Sequence, residues 1–173
     1  LVCFILCVSR GNGDCGLDIF VLSDSHGSLK WMMQAVERER PERVLHLGDH
    51  AADAVQLQAA LPALPVEMVC GNCDLQQSAP QTLCQTYAGK TIFMTHGHLY
   101  QVKLTPYRAV LAAEEAGAEL LLYGHTHRAA LFREENLWVM NPGTCCGTQP
   151  ITYGVVSLET SGIHCRIESL ERR

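Results

Sequence analysis

Long apolar runs, a surplus of positive charge and low-complexity tracts are all missing from this chain of 173 residues. Each absence removes a class of protein. No stretch approaches the roughly 18 to 20 consecutive apolar residues that span a bilayer, so no membrane helix is predicted. Lys and Arg number 13 against 18 Asp and Glu, a net charge of −5 with His neutral. That balance argues against broad, sequence-independent nucleic-acid binding, which needs a basic face. The chain has no linker and no repeat. Its apolar fraction of 47% beside a charged fraction of 18% is that of one globular domain with a real core.

A paired cysteine framework is also missing. The nine cysteines are odd in number and irregular in spacing. Several lie in apolar runs, where Cys behaves as a small hydrophobe. A disulfide scaffold is not expected for a chain of this length, and a reducing cytoplasm is the predicted compartment. The apolar start, Leu1 to Val8, has no basic region before it and no small-residue cleavage pattern after it, so it does not read as a signal peptide. Residues 1–16 are expected to form an N-terminal extension, and residues 17–173 a single domain.

What is present is a regular rhythm of strands and helices. Asp18 to Ser23, Arg43 to Leu47 and Val66 to Cys70 are short apolar runs that read as buried strands. Between them, Leu29 to Arg40 carries an apolar stripe of Trp31, Met32, Ala35 and Val36. Ser28 is placed to cap that helix and Pro41 to stop it. Ala51 to Ala60 is a second helix. Alternating strands and helices imply parallel strands and right-handed crossovers. The second half changes character. Thr82 to Ala88 and Thr91 to Met94 flank Gly89-Lys90 as a hairpin. Thr105-Pro106 opens a helix that runs to Ala116, with Gly117 at its end. Short strands follow at 119–123, 129–133, 137–140, 153–158 and 164–168. Two mixed sheets packed together with helices outside fit this order better than one doubly wound sheet.

Five segments place metal-ligand residues where a strand gives way to a loop: Asp24-Ser25-His26-Gly27, Gly48-Asp49-His50, Gly71-Asn72-Cys73-Asp74, Thr95-His96-Gly97-His98 and Gly124-His125-Thr126-His127. Strand ends at one sheet edge form the ligand crevice of α/β folds, so side chains far apart in sequence can converge there. Asp24 and His26 are two apart, as are His125 and His127, and both pairs can point inward from a turn. Asp49 has two carboxylate oxygens with which to bridge two metals. Asn72 offers an amide oxygen and His96 an imidazole. Carboxylate, amide and imidazole without thiolate suit Mn, Fe, Zn, Co or Ni rather than a structural cysteine–zinc site. Two such ions acidify water and neutralise phosphoryl oxygens.

The wording Ser-Asp-Ser-His-Gly, Gly-Asp, Gly-Asn-Cys-Asp, Thr-His-Gly-His, Gly-His-Thr-His and Asn141-Pro-Gly-Thr resembles the calcineurin-like metallophosphoesterases, and within them the YfcE-like phosphodiesterase branch. The resemblance spans about Asp18 to Leu170. It implies a four-layer α/β/β/α sandwich. It implies two divalent ions, manganese first: one held by Asp24, His26 and His127, a second by Asn72, His96 and His125, with Asp49 bridging. It implies hydrolysis of a small phosphodiester substrate in which Asp49 and Asn72 take part. Many members of the wider superfamily have Gly-Asn-His, whose His meets the substrate. Here that position is Cys73, a poor proton donor at neutral pH, as in the YfcE-like branch. Good leaving groups are therefore expected to be favoured, with His98 as the candidate compensating donor. Two other readings stand beside this one. A eukaryotic retromer subunit shares the fold as an interaction scaffold, with a degraded metal site. Phosphomonoesterases share the metals but add arginines to grip a dianion, a role open to Arg128.

Plain readings apply elsewhere. His46, His50 and His164 are read as structural, and Asp74 as a turn residue. Asn141-Pro-Gly-Thr is read equally as a turn or as a support for the metal loops. Cys70-Gly-Asn-Cys73 is too weak a signal for redox chemistry. Exposed strands in the second half leave a homo-oligomer open.

Overall fold

The computed structural model describes residues 16–74, 79–147 and 150–170. The expected N-terminal extension therefore lies, apart from Gly16, outside the described residues. Ten strands, three α-helices and one 3-10 turn follow in the order β1 (Leu17–Leu22), α1 (Leu29–Glu39), β2 (Arg43–His46), α2 (Ala51–Ala60), β3 (Val66–Met68), β4 (Thr82–Tyr87), β5 (Lys90–Thr95), the 3-10 turn (His98–Tyr100), α3 (Tyr107–Glu115), β6 (Leu120–Tyr123), β7 (Ala130–Glu134), β8 (Leu137–Asn141), β9 (Ile151–Glu159) and β10 (Gly162–Leu170).

The strands form two five-stranded mixed sheets, in the orders β10-β9-β1-β2-β3 and β4-β5-β6-β8-β7. In the first, β1, β2 and β3 run parallel. In the second, β5, β6 and β8 do. Alternation along β1 explains the layers. Ile19 and Val21 point between the sheets, against Ile92, Met94, Leu120 and Leu122. Phe20 and Leu22 point the other way, into a second core with Met32, Ala35 and Val36 of α1 and Leu57 of α2. A third core joins the far face of the second sheet, through Leu121, Tyr123 and Val139, to Ala109, Val110 and Ala113 of α3. The result is the expected α/β/β/α sandwich. Each fully buried Leu, Ile or Met in these layers contributes roughly 1.5–3 kcal/mol.

Local details depart from expectation in physically clear ways. Ser28 occupies the cap position of α1, but its hydroxyl makes no cap hydrogen bond. Its backbone is drawn instead into a turn, with its N–H donating to Ser25 O at 3.0 Å. Trp31 is half-buried and packs at the margin of the core rather than inside it. The helix ends at Glu39, because Arg40 turns left-handed (φ 49°) ahead of Pro41. The β4–β5 turn is Ala88-Gly89, not Gly89-Lys90: Tyr87 pairs Lys90, and both turn residues have positive φ, as a two-residue hairpin loop of matching twist requires. No helix among the described residues is long and apolar enough to cross a membrane.

Candidate metal centre

All five ligand segments leave the C-terminal ends of parallel strands, and the registers bring those ends level. Leu22 pairs His46, and His46 pairs Met68, in the first sheet. Thr95 pairs Tyr123 in the second. The loops after β1, β2, β3, β5 and β6 thus meet at one end of the sandwich, as strand ends do at ligand crevices.

Two groups of side chains converge there. The ligand atoms of Asp24, His26, Asp49 and His127 all lie within 4.8 Å of one another, and so do those of Asp49, His96 and His125. Asp49 belongs to both. Its Oδ2 faces His26 Nε2 at 3.9 Å and its Oδ1 faces His96 Nε2 at 3.3 Å. Asn72 joins the second group, with Oδ1 3.2 Å from His96 Nε2. His125 Nδ1 lies 3.1 Å from the same nitrogen. All seven sequence-predicted ligands are therefore brought together.

The backbone is shaped for this. Asp24, His26, Asp49, His125 and His127 all have φ between 44° and 68°, the left-handed region that side chains rarely adopt. The neighbouring glycines let the loops touch. A Cβ on Gly71 would overlap the Asp49 carboxylate, and one on Gly124 would overlap Ser23 Oγ and Asp24 Oδ2.

Three observations fit a cation. Asp24 Oδ1 is buried with no hydrogen bond, although His127 Nε2 stands 3.0 Å away. His96 Nδ1 contacts the Leu47 carbonyl at 2.8 Å, so it carries the proton there and leaves Nε2 to face the cluster. The donors are oxygen and imidazole nitrogen, which suit borderline divalent metals. Without metal, the charges compete. Burial pushes the Asp24 carboxyl up, opposed by His96, Ser23 and His127. Burial also acts to raise Asp49, but hydrogen bonds from His96 and the Cys73 amide hold it well below the usual carboxylate range. For His96, burial is outweighed by Asp49 and Asp24, which push its pKa up. His125 is driven down to about 4 by burial and then by His96.

Around the ligands, several residues have roles visible only in three dimensions. Asn141 Nδ2 donates to Gly124 O at 2.9 Å and to Thr126 Oγ1 at 3.0 Å. Thr144 Oγ1 donates to Asp24 O at 2.8 Å. The Asn-Pro-Gly-Thr segment thus supports the metal loops. Asp74 is a turn residue that also caps α2, since its Oδ2 accepts from Gly71 N and its Oδ1 from Ala51 N, both at 2.8 Å. Cys73 is exposed beside the centre, and its N–H donates to Asp49 Oδ1 at 2.9 Å. Its thiol pKa is raised, by burial first and then by Asp49. The His98 ring centroid is 5.4 Å from that of His96 and 6.1 Å from that of His125. Burial and then His96 lower its pKa. Its Nδ1 is buried without a hydrogen bond. His50 is exposed beside His26, and His164 is exposed with Glu159 3.6 Å away. Arg128 is exposed, and its N–H closes a turn onto Thr126 Oγ1 at 3.2 Å. Asp53, whose Oδ2 accepts from Ser25 and Gly27 behind the Asp24–His26 loop, and Ser23, whose Oγ donates to Asp24 Oδ2 at 2.5 Å, are not legible in the sequence as site residues. Their signal, an acid in an otherwise apolar helix turn and a serine before the first ligand, has no meaning without the partners.

Two five-stranded sheets under flanking helices, with carboxylate and imidazole groups sharing one aspartate at the strand ends, define a metallophosphoesterase domain. Residues 17–161 match the calcineurin-like phosphoesterase superfamily domain, and the chain belongs to that superfamily. It is 34% identical over 129 residues to the probable metallophosphoesterase YsnB of Bacillus subtilis (strain 168), covering 74% of this chain and 75% of that protein. It is 26% identical over 162 residues to the phosphodiesterase MJ0936 of Methanocaldococcus jannaschii, covering 83% and 94%. Vacuolar protein sorting 29 of Cryptosporidium parvum shares the fold, with a TM-score of 0.72 at 14% identity over 91% of this chain and 99% of that one.

Proposed function

We propose that the protein is a phosphodiesterase that works with two divalent ions, manganese foremost, on a small phosphodiester. The observation that carries the reading is the double membership of Asp49 in two ligand groups. When bound, a pair of divalent ions supplies Lewis acidity and acidified water to an in-line displacement at phosphorus. Asp24, His26 and His127 would hold one ion, Asn72, His96 and His125 the other, and Asp49 both.

The remaining chemistry belongs to the chain's own side chains. Cys73 stands exposed at the mouth with a raised pKa, so its thiol is neutral and a weak acid toward a departing oxygen. The lowered pKa of His98 leaves its imidazole neutral near pH 7. In this proposal it orients the leaving group through an N–H rather than delivering a full proton. Both features favour esters whose alcohol leaves unaided, such as aryl diesters. Arg128 is exposed and held through its backbone, with no side-chain hydrogen bond tying its guanidinium to the centre among the described residues.

The test compares an aryl phosphodiester with the matching monoester, with Mn²⁺ and with chelator. Mn²⁺-dependent turnover that is faster on the diester supports the reading. Faster monoester hydrolysis reassigns the substrate. No turnover with Mn, Ni, Co, Zn or Fe removes the enzyme reading and leaves the interaction scaffold.

A further inference from the structure

We propose that Asp53, acting through Ser25 and backed by His46, is a positioning residue that clamps the Asp24–His26 ligand loop. The proposal rests on the metal-centre reading above. Three polar side chains from three parts of the chain meet beneath that loop, and none is a proposed ligand. Ser25 and His46 are 0% exposed and Asp53 3%.

Their hydrogen bonds have a determined direction. The Gly48 N–H can only donate, and it contacts His46 Nδ1 at 3.2 Å. That nitrogen must therefore be unprotonated, and the neutral ring carries its proton on Nε2. His46 Nε2 lies 3.1 Å from Ser25 Oγ and donates to it. Ser25 spends its single O–H on Asp53 Oδ2 at 2.7 Å. The same Oδ2 accepts the Gly27 N–H at 2.7 Å. Every donor in the network is used, which is the condition for a buried polar network to fix one conformation.

Serine, histidine and aspartate suggest a nucleophilic triad, but the geometry excludes one. Ser25 is sealed from solvent, and the aspartate touches the serine instead of the imidazole. A triad needs the imidazole to accept the serine proton, and here Nε2 is already protonated.

The location gives the network its purpose. Ser25 sits between the ligands Asp24 and His26, whose φ values are 53° and 44°, and Gly27 follows at 84°. Gripping the side chain of residue 25 and the amide of residue 27 fixes the loop on both sides of His26. Toward Asp49 the network meets backbone only, the Gly48 N–H at 3.2 Å from His46 Nδ1 and the Asp49 carbonyl at 3.5 Å from Ser25 Oγ, and it leaves the Asp49 carboxylate to the Cys73 amide and His96. Among the described residues, the network makes no hydrogen bond to Asn72, His96 or His125.

The clamp thus predicts a selective effect on one of two metal-binding events. The experiment titrates the full metal-free chain with Mn²⁺ alone, followed by calorimetry, with circular dichroism to establish that each variant is folded. The wild type is expected to show two binding steps. Asp53→Ala is expected to weaken one step by about tenfold, the low end of the range for losing a direct partner of a ligand because Asp53 acts through the loop, and to leave the other within about threefold. Asp53→Asn keeps an acceptor oxygen in place and is expected to restore affinity to within about threefold of wild type. If Asp53→Ala does not fold, Ser25→Ala carries the test with the same selective loss expected. Equal weakening of both steps, or no weakening, overturns the clamp. A wild-type chain that takes up no Mn²⁺ overturns the metal-centre reading beneath it, and the wild-type trace alone tells the two failures apart.

Discussion

Asp49 is the residue on which both ligand groups depend. One carboxylate oxygen faces each group, and the Cys73 amide pins one of them. Asp49→Ala is expected to lower Mn²⁺ content from two ions per chain toward none, and turnover by more than about a hundredfold, as judged by elemental analysis beside rate measurement. Cys73 makes the opposite kind of prediction. Cys73→His places an imidazole where the thiol now stands, and is expected to raise rates on alkyl diesters by roughly 10- to 100-fold, with a smaller gain on aryl diesters. A gain independent of leaving group would show that the new side chain does not act as an acid. The seven candidate ligand positions, which the fold brings together, can be read from sequence because each motif carries its own signal within three or four residues. Asp53 cannot: its hydrogen-bonding partners Ser25 and Gly27 lie 28 and 26 residues away, and its apolar helix neighbours conceal it.

Loops and strands set the precision of that arrangement. The loops after β2 and β3 run so close that only glycine fits at Gly71, against the Asp49 carboxylate. Gly71→Ala is expected to cost about 1–3 kcal/mol of stability and to weaken Mn²⁺ binding, read from urea unfolding and metal titration of the same variant. Element order and sheet membership are legible wherever alternation is clean, as in β1, where Ile19 and Phe20 face different cores. Caps are less so. Ser28 has the right identity for a helix cap, yet the preceding ligand loop uses its backbone. The N-terminus of α2 is served from outside by Asp74, which no local pattern announces.

At the scale of the whole molecule, the buried His46 links stability to acidity. Burial outweighs the pull of Asp53 and Asp74 and lowers its pKa from 6.5 to about 4. Below pH 6.5 the unfolded chain takes up a proton that the folded chain refuses until about pH 4. Stability is thus kept above pH 6.5 and lost between about 6.5 and 4, by up to about 3 kcal/mol from this group. Urea unfolding of the metal-free chain at pH 7 and pH 4.5 measures the loss; His125, also driven down to about 4, adds to it over the same window, so His46→Gln is expected to reduce the difference between the two pH values without abolishing it. Metal acts in the other direction. Mn²⁺ at a hundredfold excess over its Kd is expected to add about 2.7 kcal/mol per site, a rise of roughly 5–10 °C in Tm that chelator reverses.

The left-handed ligand residues carry a consequence for descent. Asp24, His26, Asp49, His125 and His127 hold side chains where glycine or asparagine would sit with less strain. A lineage that stopped using its metals would be free to relax these positions one at a time without disturbing the three cores. The backbone angles at the strand ends therefore make the candidate centre separable from the fold: its positions can change while the three cores beneath stay as they are.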